Sequence, residues 1–288
     1  DGGMWGSFSM DDPEITDDDI AAAQADGTDT AIYVIARNSG EGADRTATEG
    51  DYYLTETEKN NLAKVAASFD KTIVVLNVGG VVDTKFFDEI EGLDAMLLMS
   101  QAGMEGGNAV TEVLNGTVTP SGKLTDTWPV NYEDYPSAET FGANDGNVDQ
   151  EDYTDDIYVG YRYFDTFGKE VSYEFGYGLS YTTFDTVVDS VTADADQVTV
   201  TATVTNTGDT YSGKEVVEVY FSAPEGMLEK PYQELCGFAK TDELAPGESQ
   251  TLTITYNTTE MSSYDMDQAA YIMEAGDYVV RVGNSSRN

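Results

Sequence analysis

The chain has 288 residues, with 54 Asp and Glu against 14 Lys and Arg, a formal charge of −40, no histidine and a single cysteine. Without an imidazole, Ser-His-Asp and Cys-His nucleophiles are excluded, and so are zinc sites built on His or clustered Cys and any internal disulfide framework. The charge repels phosphate backbones and anionic lipid surfaces, so neither nucleic acid nor membrane is an expected partner, and carboxylate chemistry, hard-cation binding or no chemistry remains.

The length suggests about two domains of roughly 100–200 residues each. The 19 Tyr, 11 Phe and 2 Trp argue against a disordered acidic chain. No apolar run approaches the roughly 20 residues of a membrane span, and no signal sequence opens the chain. That absence and the lone Cys236 lean toward the cytoplasm.

Asp1-Gly2-Gly3-Met4 reads as the interior of something longer. Thr16-Asp17-Asp18-Asp19 then opens a short Ala-rich helix, Ile20 to Ala25. Ala31 to Ala36 is a continuous apolar run, as in a strand covered on both faces. Thr55-Glu56-Thr57-Glu58 has capping-box spacing, and Leu62, Val65 and Ala66 follow at helical intervals. Thr72 to Asn77 is a second buried-strand run, ended by Gly79-Gly80. A short helix from about Asp83 to Ile90, a third run from Ala95 to Met99 and a helix from Gly103 to Leu114 complete the series. Three β–α units predict a mostly parallel sheet with helices on its faces. Three strands are few for such a sheet, which predicts that the first half of this α/β domain lies outside the chain.

After Trp128-Pro129 the composition shifts. Residues 130–152 are acidic and loop-like, and Tyr153 to Tyr181 is dense in tyrosine and glycine. From Phe184 onward the pattern is all β. Gln197 to Thr205 alternates with period two, and Glu215–Tyr220, Gln250–Tyr256 and Asp277–Val282 do much the same. Turn signals at Asn206-Thr207-Gly208 and Pro246-Gly247 separate them, as in a β-sandwich of immunoglobulin or fibronectin type. The predicted organisation is an α/β part over 1–132, a Tyr/Gly-rich linker over 133–182 and an all-β sandwich over 183–288.

The first strand runs into Arg37-Asn-Ser-Gly-Glu-Gly-Ala-Asp-Arg45. Ligands of open α/β sheets bind beyond the carboxyl ends of strands. Glu41 stands there between Gly40 and Gly42, which leave the flanking space clear of side chains. A carboxylate is thus presented on a tight loop with Arg37, Asp44 and Arg45 nearby in sequence. On spacing alone, a solvated glutamate on a surface loop accounts for it equally well.

Other candidates are weaker. The tyrosines of 153–181 could stack on sugar faces, but rings packing the linker onto its neighbours explain them better. Asp152, Asp155 and Asp156, or Asp194 and Asp196, lack the twelve-residue calcium-loop pattern. Gly116 to Lys123 is one residue too long for a phosphate loop.

Taken together, Ser39-Gly-Glu-Gly42, Asp44-Arg45, Gly50-Asp51, Gly103-Met-Glu-Gly106, Pro120-Ser-Gly-Lys-Leu124 and Trp128-Pro129 resemble glycoside hydrolase family three. So do Tyr158-Val-Gly-Tyr-Arg-Tyr-Phe-Asp165, Tyr173-Glu-Phe-Gly-Tyr-Gly-Leu-Ser-Tyr181 and the closing Val282-Gly-Asn-Ser-Ser-Arg287. Bacterial β-glucosidases of this family combine a (β/α)8 barrel, an α/β sandwich domain and a fibronectin type III-like domain. The resemblance therefore implies the second half of an α/β sandwich followed by a fibronectin type III-like β-sandwich. It implies a retaining double displacement on a β-glucoside or oligosaccharide, with no cofactor and no metal. It assigns Glu41 as general acid/base, with Arg37, Ser39, Asp44 and Arg45 binding substrate or supporting the site. The aspartate nucleophile would lie on the barrel, which these 288 residues do not contain, and the family's Lys-His pair has no counterpart here. The alternative is a non-catalytic carbohydrate-binding or adhesion module, which has no need of a glycine-flanked acid.

Overall fold

The computed structural model describes residues 12–37, 45–141, 149 and 153–288. The chain divides into two compact units, residues 1–111 with 130–151 and residues 112–129 with 152–288.

In the first unit, α1 (Asp17–Gln24) buries none of its residues, and its definite start comes from a capping box between Thr16 and Asp19. Strands β1 (Thr30–Ala36), β2 (Lys71–Asn77) and β3 (Ala95–Leu98) form a parallel sheet in that order. Helix α2 (Glu56–Ser68) starts on a second capping box, Thr55 with Glu58, and packs against β1 and β2. Leu62, Val65 and Ala66 are its buried apolar face. Glu58 lies one turn before Leu62 on that same face and is also buried. Helix α3 (Phe86–Glu89) is shorter than the 83–90 expected, and α4 (Gly106–Leu114) begins three residues later than Gly103.

The middle strand β2 buries Val74, Val75 and Leu76 in succession, so both its faces are covered. On the edge strand β1, Ile35 is buried while Ile32 and Val34 are 53% and 55% exposed. Within this chain the apolar run is covered on both faces at β2, while at β1 two of its apolar side chains stay exposed.

In the second unit, a short pair of strands, β4 (Trp128–Pro129) and β5 (Val171–Tyr173), accompanies helix α5 (Tyr161–Thr166). The sandwich has two sheets of three strands. One has the order β10-β7-β6, made of β6 (Phe184–Ala193), β7 (Gln197–Asn206) and β10 (Ser249–Asn257). The other has the order β13-β8-β9, made of β8 (Val216–Ser222), β9 (Glu234–Lys240) and β13 (Val279–Gly283). A hairpin of β11 (Ser263–Asp265) and β12 (Ala270–Ile272) precedes β13. Period two decides the faces. Val198, Val200, Ala202 and Val204 point inward with Leu252, Ile254, Tyr256, Val217, Val219 and Phe221. The opposite face of β7 and β10 carries threonines in register, with hydroxyl contacts between Thr203 and Thr251 and between Thr199 and Thr255.

Strand β9 was not expected. Its sequence, Glu-Leu-Cys-Gly-Phe-Ala-Lys, does not alternate, and its pairing with β8 shifts register between Val219 and Tyr220. Gly237 fits because a Cβ there would lie 2.6 Å from Ile254 Cγ2.

Glu218 and Tyr220 alternate with the core residues of β8, and both are nevertheless buried. The 153–181 segment supplies the cover. Tyr161 packs edge-on against Tyr220 and Tyr173 edge-on against Trp128, Tyr173 also lies tilted against Tyr177, and the Tyr161 hydroxyl accepts the Leu235 N–H. Tyr220 donates its hydroxyl to Glu218, while Lys123 pairs with Glu215 at 2.9 Å. Burial raises the Glu218 carboxyl to about 7, with Glu215 adding to the shift and Tyr220 and Lys123 opposing it. Gly176 lies directly on this carboxylate at φ +84°. A Cβ there would sit 2.6 Å from Glu218 Oε2 and 2.7 Å from Ser285 Cα.

Two outcomes follow from this cluster. The folded state keeps the Glu218 proton to higher pH than the unfolded chain does, so stability falls as pH rises from the ordinary carboxylate range through about 7. Glu218→Gln should therefore be more stable than the parent at pH 8, by on the order of 1–3 kcal/mol, with the difference fading toward pH 5. Urea unfolding across that range tests it, and a pH-independent difference would contradict it. Gly176→Ala should lose at least about 1–2 kcal/mol in the same assay, because it combines a left-handed backbone with a backbone collision.

Candidate active site

Strand β1 ends at Ala36, and the Arg37 N–H still bonds the Asn77 carbonyl, so Arg37 stands at the carboxyl end of the parallel sheet. Its guanidinium is buried, with 8% of the residue exposed. Nε donates to the Asp51 carbonyl at 2.8 Å, and the two terminal nitrogens donate to the Ala36 carbonyl at 2.8 Å and the Tyr53 carbonyl at 3.3 Å. Both terminal nitrogens also bond Glu58, at 2.7 Å to Oε1 and 2.8 Å to Oε2. The five bonds match the five N–H donors of an arginine, so the buried charge is fully satisfied.

Glu58 can reach Arg37 because it opens α2 on the side facing the sheet. Its Oε2 also accepts the Thr55 N–H at 2.8 Å, which is the returning half of the capping box. One carboxylate thus ends a helix and neutralises an arginine.

Arg45 begins the return segment. Its Nε meets Asp51 Oδ1 at 2.7 Å, and its terminal nitrogens donate to the Val81 carbonyl at 2.8 Å and the Asp51 carbonyl at 3.1 Å. Asp51 Oδ2 accepts the Thr46 N–H at 2.6 Å. Burial opposes ionisation of this carboxyl, but the Thr46 and Arg45 hydrogen bonds outweigh it and hold Asp51 below the usual range. Beside the segment, Tyr52 packs edge-on against Tyr53 and Tyr132. Burial first, then Tyr135, Asp83, Tyr53 and Glu133, push its phenol upward.

Arg37 and Arg45 are therefore brought together, both donating to the single carbonyl of Asp51. Ser39, Glu41 and Asp44 belong to 38–44, which lies outside the described residues, as does Asp152. Among the described residues no group of three or more His, Cys, Asp or Glu could hold a metal ion, and no helix is long and apolar enough to cross a membrane. The sequence reading missed Glu58, taking it only as a cap, and Asp51, noted only within a motif. Glu58 had left a signal, since an acid four residues before Leu62 occupies the apolar stripe and needs a buried partner.

Comparison with known proteins agrees with this architecture. Residues 13–181 match the glycosyl hydrolase family 3 C-terminal domain, and residues 215–286 match the fibronectin type III-like domain. Beta-glucosidase A of Butyrivibrio fibrisolvens is 43% identical over 94% of this chain, and a beta-glucosidase of Ruminococcus albus is 44% identical over 94%. This chain spans 38% and 29% of their respective lengths. A solved beta-glucosidase from Paenibacillus barengoltzii superposes with a TM-score of 0.88 at 43% identity, covering 98% of this chain and 31% of that one. The chain belongs to glycosyl hydrolase family 3, and it spans only about a third of the length of these relatives.

Proposed function

We propose that this chain supplies the acid/base half of a retaining, exo-acting β-glucosidase that removes terminal non-reducing β-D-glucosyl residues. Glu41 protonates the leaving oxygen in the first step and deprotonates the attacking water in the second. The nucleophilic aspartate belongs to a (β/α)8 barrel outside this chain, and its carboxyl group would stand roughly 5–5.5 Å from that of Glu41. Ser39 and Asp44 line or support the site, while Arg37 and Arg45 support it. Residues 1–132 form the acid-bearing domain, 133–182 the linker and 183–288 the fibronectin type III-like domain.

The observation that carries this reading is the frame around the acid. A glutamate between two glycines follows the carboxyl end of a parallel strand, and the residues flanking the segment, Arg37 and Arg45, are both tied to Asp51. A binding module would have no use for such a frame. Beta-glucosidase is also the name carried by both bacterial relatives described above.

The test uses the full-length protein that contains this chain, with aryl β-glucosides of graded leaving-group ability. Glu41→Gln should lower kcat/KM for poor leaving groups by about 10²–10⁴-fold, while activated leaving groups, which need little protonation, are largely spared. Equal losses for both kinds of substrate would overturn the assignment, and no turnover of any aryl glycoside by the parent would overturn the activity.

A further inference from the structure

We infer that Glu58 is a positioning residue for the acid/base chemistry, acting through Arg37 to fix the frame from which residues 38–44 depart. The inference rests on the reading of Glu41 given above.

The first ground is that capping does not explain the burial of Glu58. A capping glutamate needs one oxygen for the N-cap N–H and can remain in water. Here the residue is 8% exposed, lies on the stripe that carries Leu62 and Val65, and uses both oxygens on Arg37. Stability does not explain it either. Buried ion pairs can often be replaced by well-packed apolar side chains of similar volume with no loss of stability, so this geometry calls for a reason in specificity.

The second ground is what Arg37 joins. Its five bonds link the end of β1 at Ala36, the return segment at Asp51 and Tyr53, and the first turn of α2 at Glu58. Arg45 reaches the same Asp51 carbonyl from the other side and also ties to Val81, just beyond β2. Positions 37 and 45 are thus set relative to each other, to the sheet and to the helix. With Glu58 removed, two of these five bonds vanish and the guanidinium has reason to turn toward water.

The third ground concerns roles. All five Arg37 donors are used within the chain, so none is left for a sugar hydroxyl. Arg37 is therefore a scaffold residue and not a substrate ligand, and Glu58 is what holds it in that role. Neither residue touches the reacting atoms. Their effect is on the placement of the acid, and small displacements of a catalytic group are costly in rate.

The experiment compares Glu58→Gln, the double variant Arg37→Met/Glu58→Met and Glu41→Gln in the full-length protein. The double variant removes both charges together and so avoids the lone uncompensated arginine that Glu58→Gln leaves buried. Each is assayed on a poor and an activated aryl β-glucoside over a range of pH, with thermal melting as the control for folding. The expected result for Glu58→Gln and the double variant is a kcat/KM loss of about tenfold or more on the poor leaving group. The kcat/KM loss on the activated one, which reports the first step alone, should stay within about threefold, with the basic limb of the pH profile displaced. A lowered melting temperature with equal losses on both substrates, or with unchanged kinetics, would make Glu58 purely structural and overturn the inference. If Glu41→Gln shows no leaving-group dependence, the acid/base reading itself falls. If Glu41→Gln shows it and the other two variants do not, only the role of Glu58 falls.

Discussion

The carbonyl oxygen of Asp51 accepts hydrogen bonds from two arginines, and much of the first unit is organised around that meeting. Arg37 ends the first strand and Arg45 starts the return segment, so their convergence closes the connection between them at its base. The arrangement needs a buried guanidinium, which is costly unless every donor is met. Glu58 meets two of them, and backbone carbonyls meet the other three. The carboxylate comes from the first turn of α2, where the same side chain also accepts the Thr55 N–H and is buried. The start of α2, the end of β1 and the turn at 46–53 are thus joined through one balanced arginine.

The second unit treats buried carboxylates differently. Glu215 has Lys123 beside it, but among the described residues Glu218 has only the Tyr220 hydroxyl as a direct partner. Without a full counter-charge, burial dominates and the carboxyl titrates near neutrality. The 153–181 segment supplies that burial, and it can approach this closely because residue 176 has no side chain. In the first unit a charge is retained and answered. In the second it is crowded and its pKa gives way. A retained charge suits a frame that must keep one geometry, whereas a titrating one suits a contact whose main task is to cover a sheet face.

How much of this was legible in the sequence follows from the range of each signal. The helix opening at Thr16, the capping box at Thr55, the apolar runs of β1 to β3 and the alternation of β7 and β10 are local patterns, and the structure contains all of them. Strand β9 was illegible because its glycine and its register shift answer to Ile254 and β8, which are distant in sequence. The proposal for Glu41 rests on a cue of the same local kind, three consecutive residues of sequence. The pairing of Arg37 with Glu58 spans 21 positions and has no periodic signature. Only the misfit of an acid on an apolar stripe hinted at it, and the capping box supplied a sufficient local excuse for that misfit.

Retaining glycoside hydrolysis tolerates little variation in the distance between its two carboxyl groups, since a gap that admits a water on the far face changes the stereochemical course. On the proposed reading this chain contributes only one of the two, on a short connection following a strand. Any residue left unfixed at a reacting centre adds conformations that must be narrowed during the reaction. Arg37 and Arg45 fix the positions on either side of 38–44 relative to the sheet. Two arginines serve better than apolar contacts here, because hydrogen bonds to carbonyls set direction as well as distance. The observed frame has that character. It is built from directional bonds on backbone atoms, is balanced by acids from the same unit, and leaves Arg37 without a donor to spare for anything else.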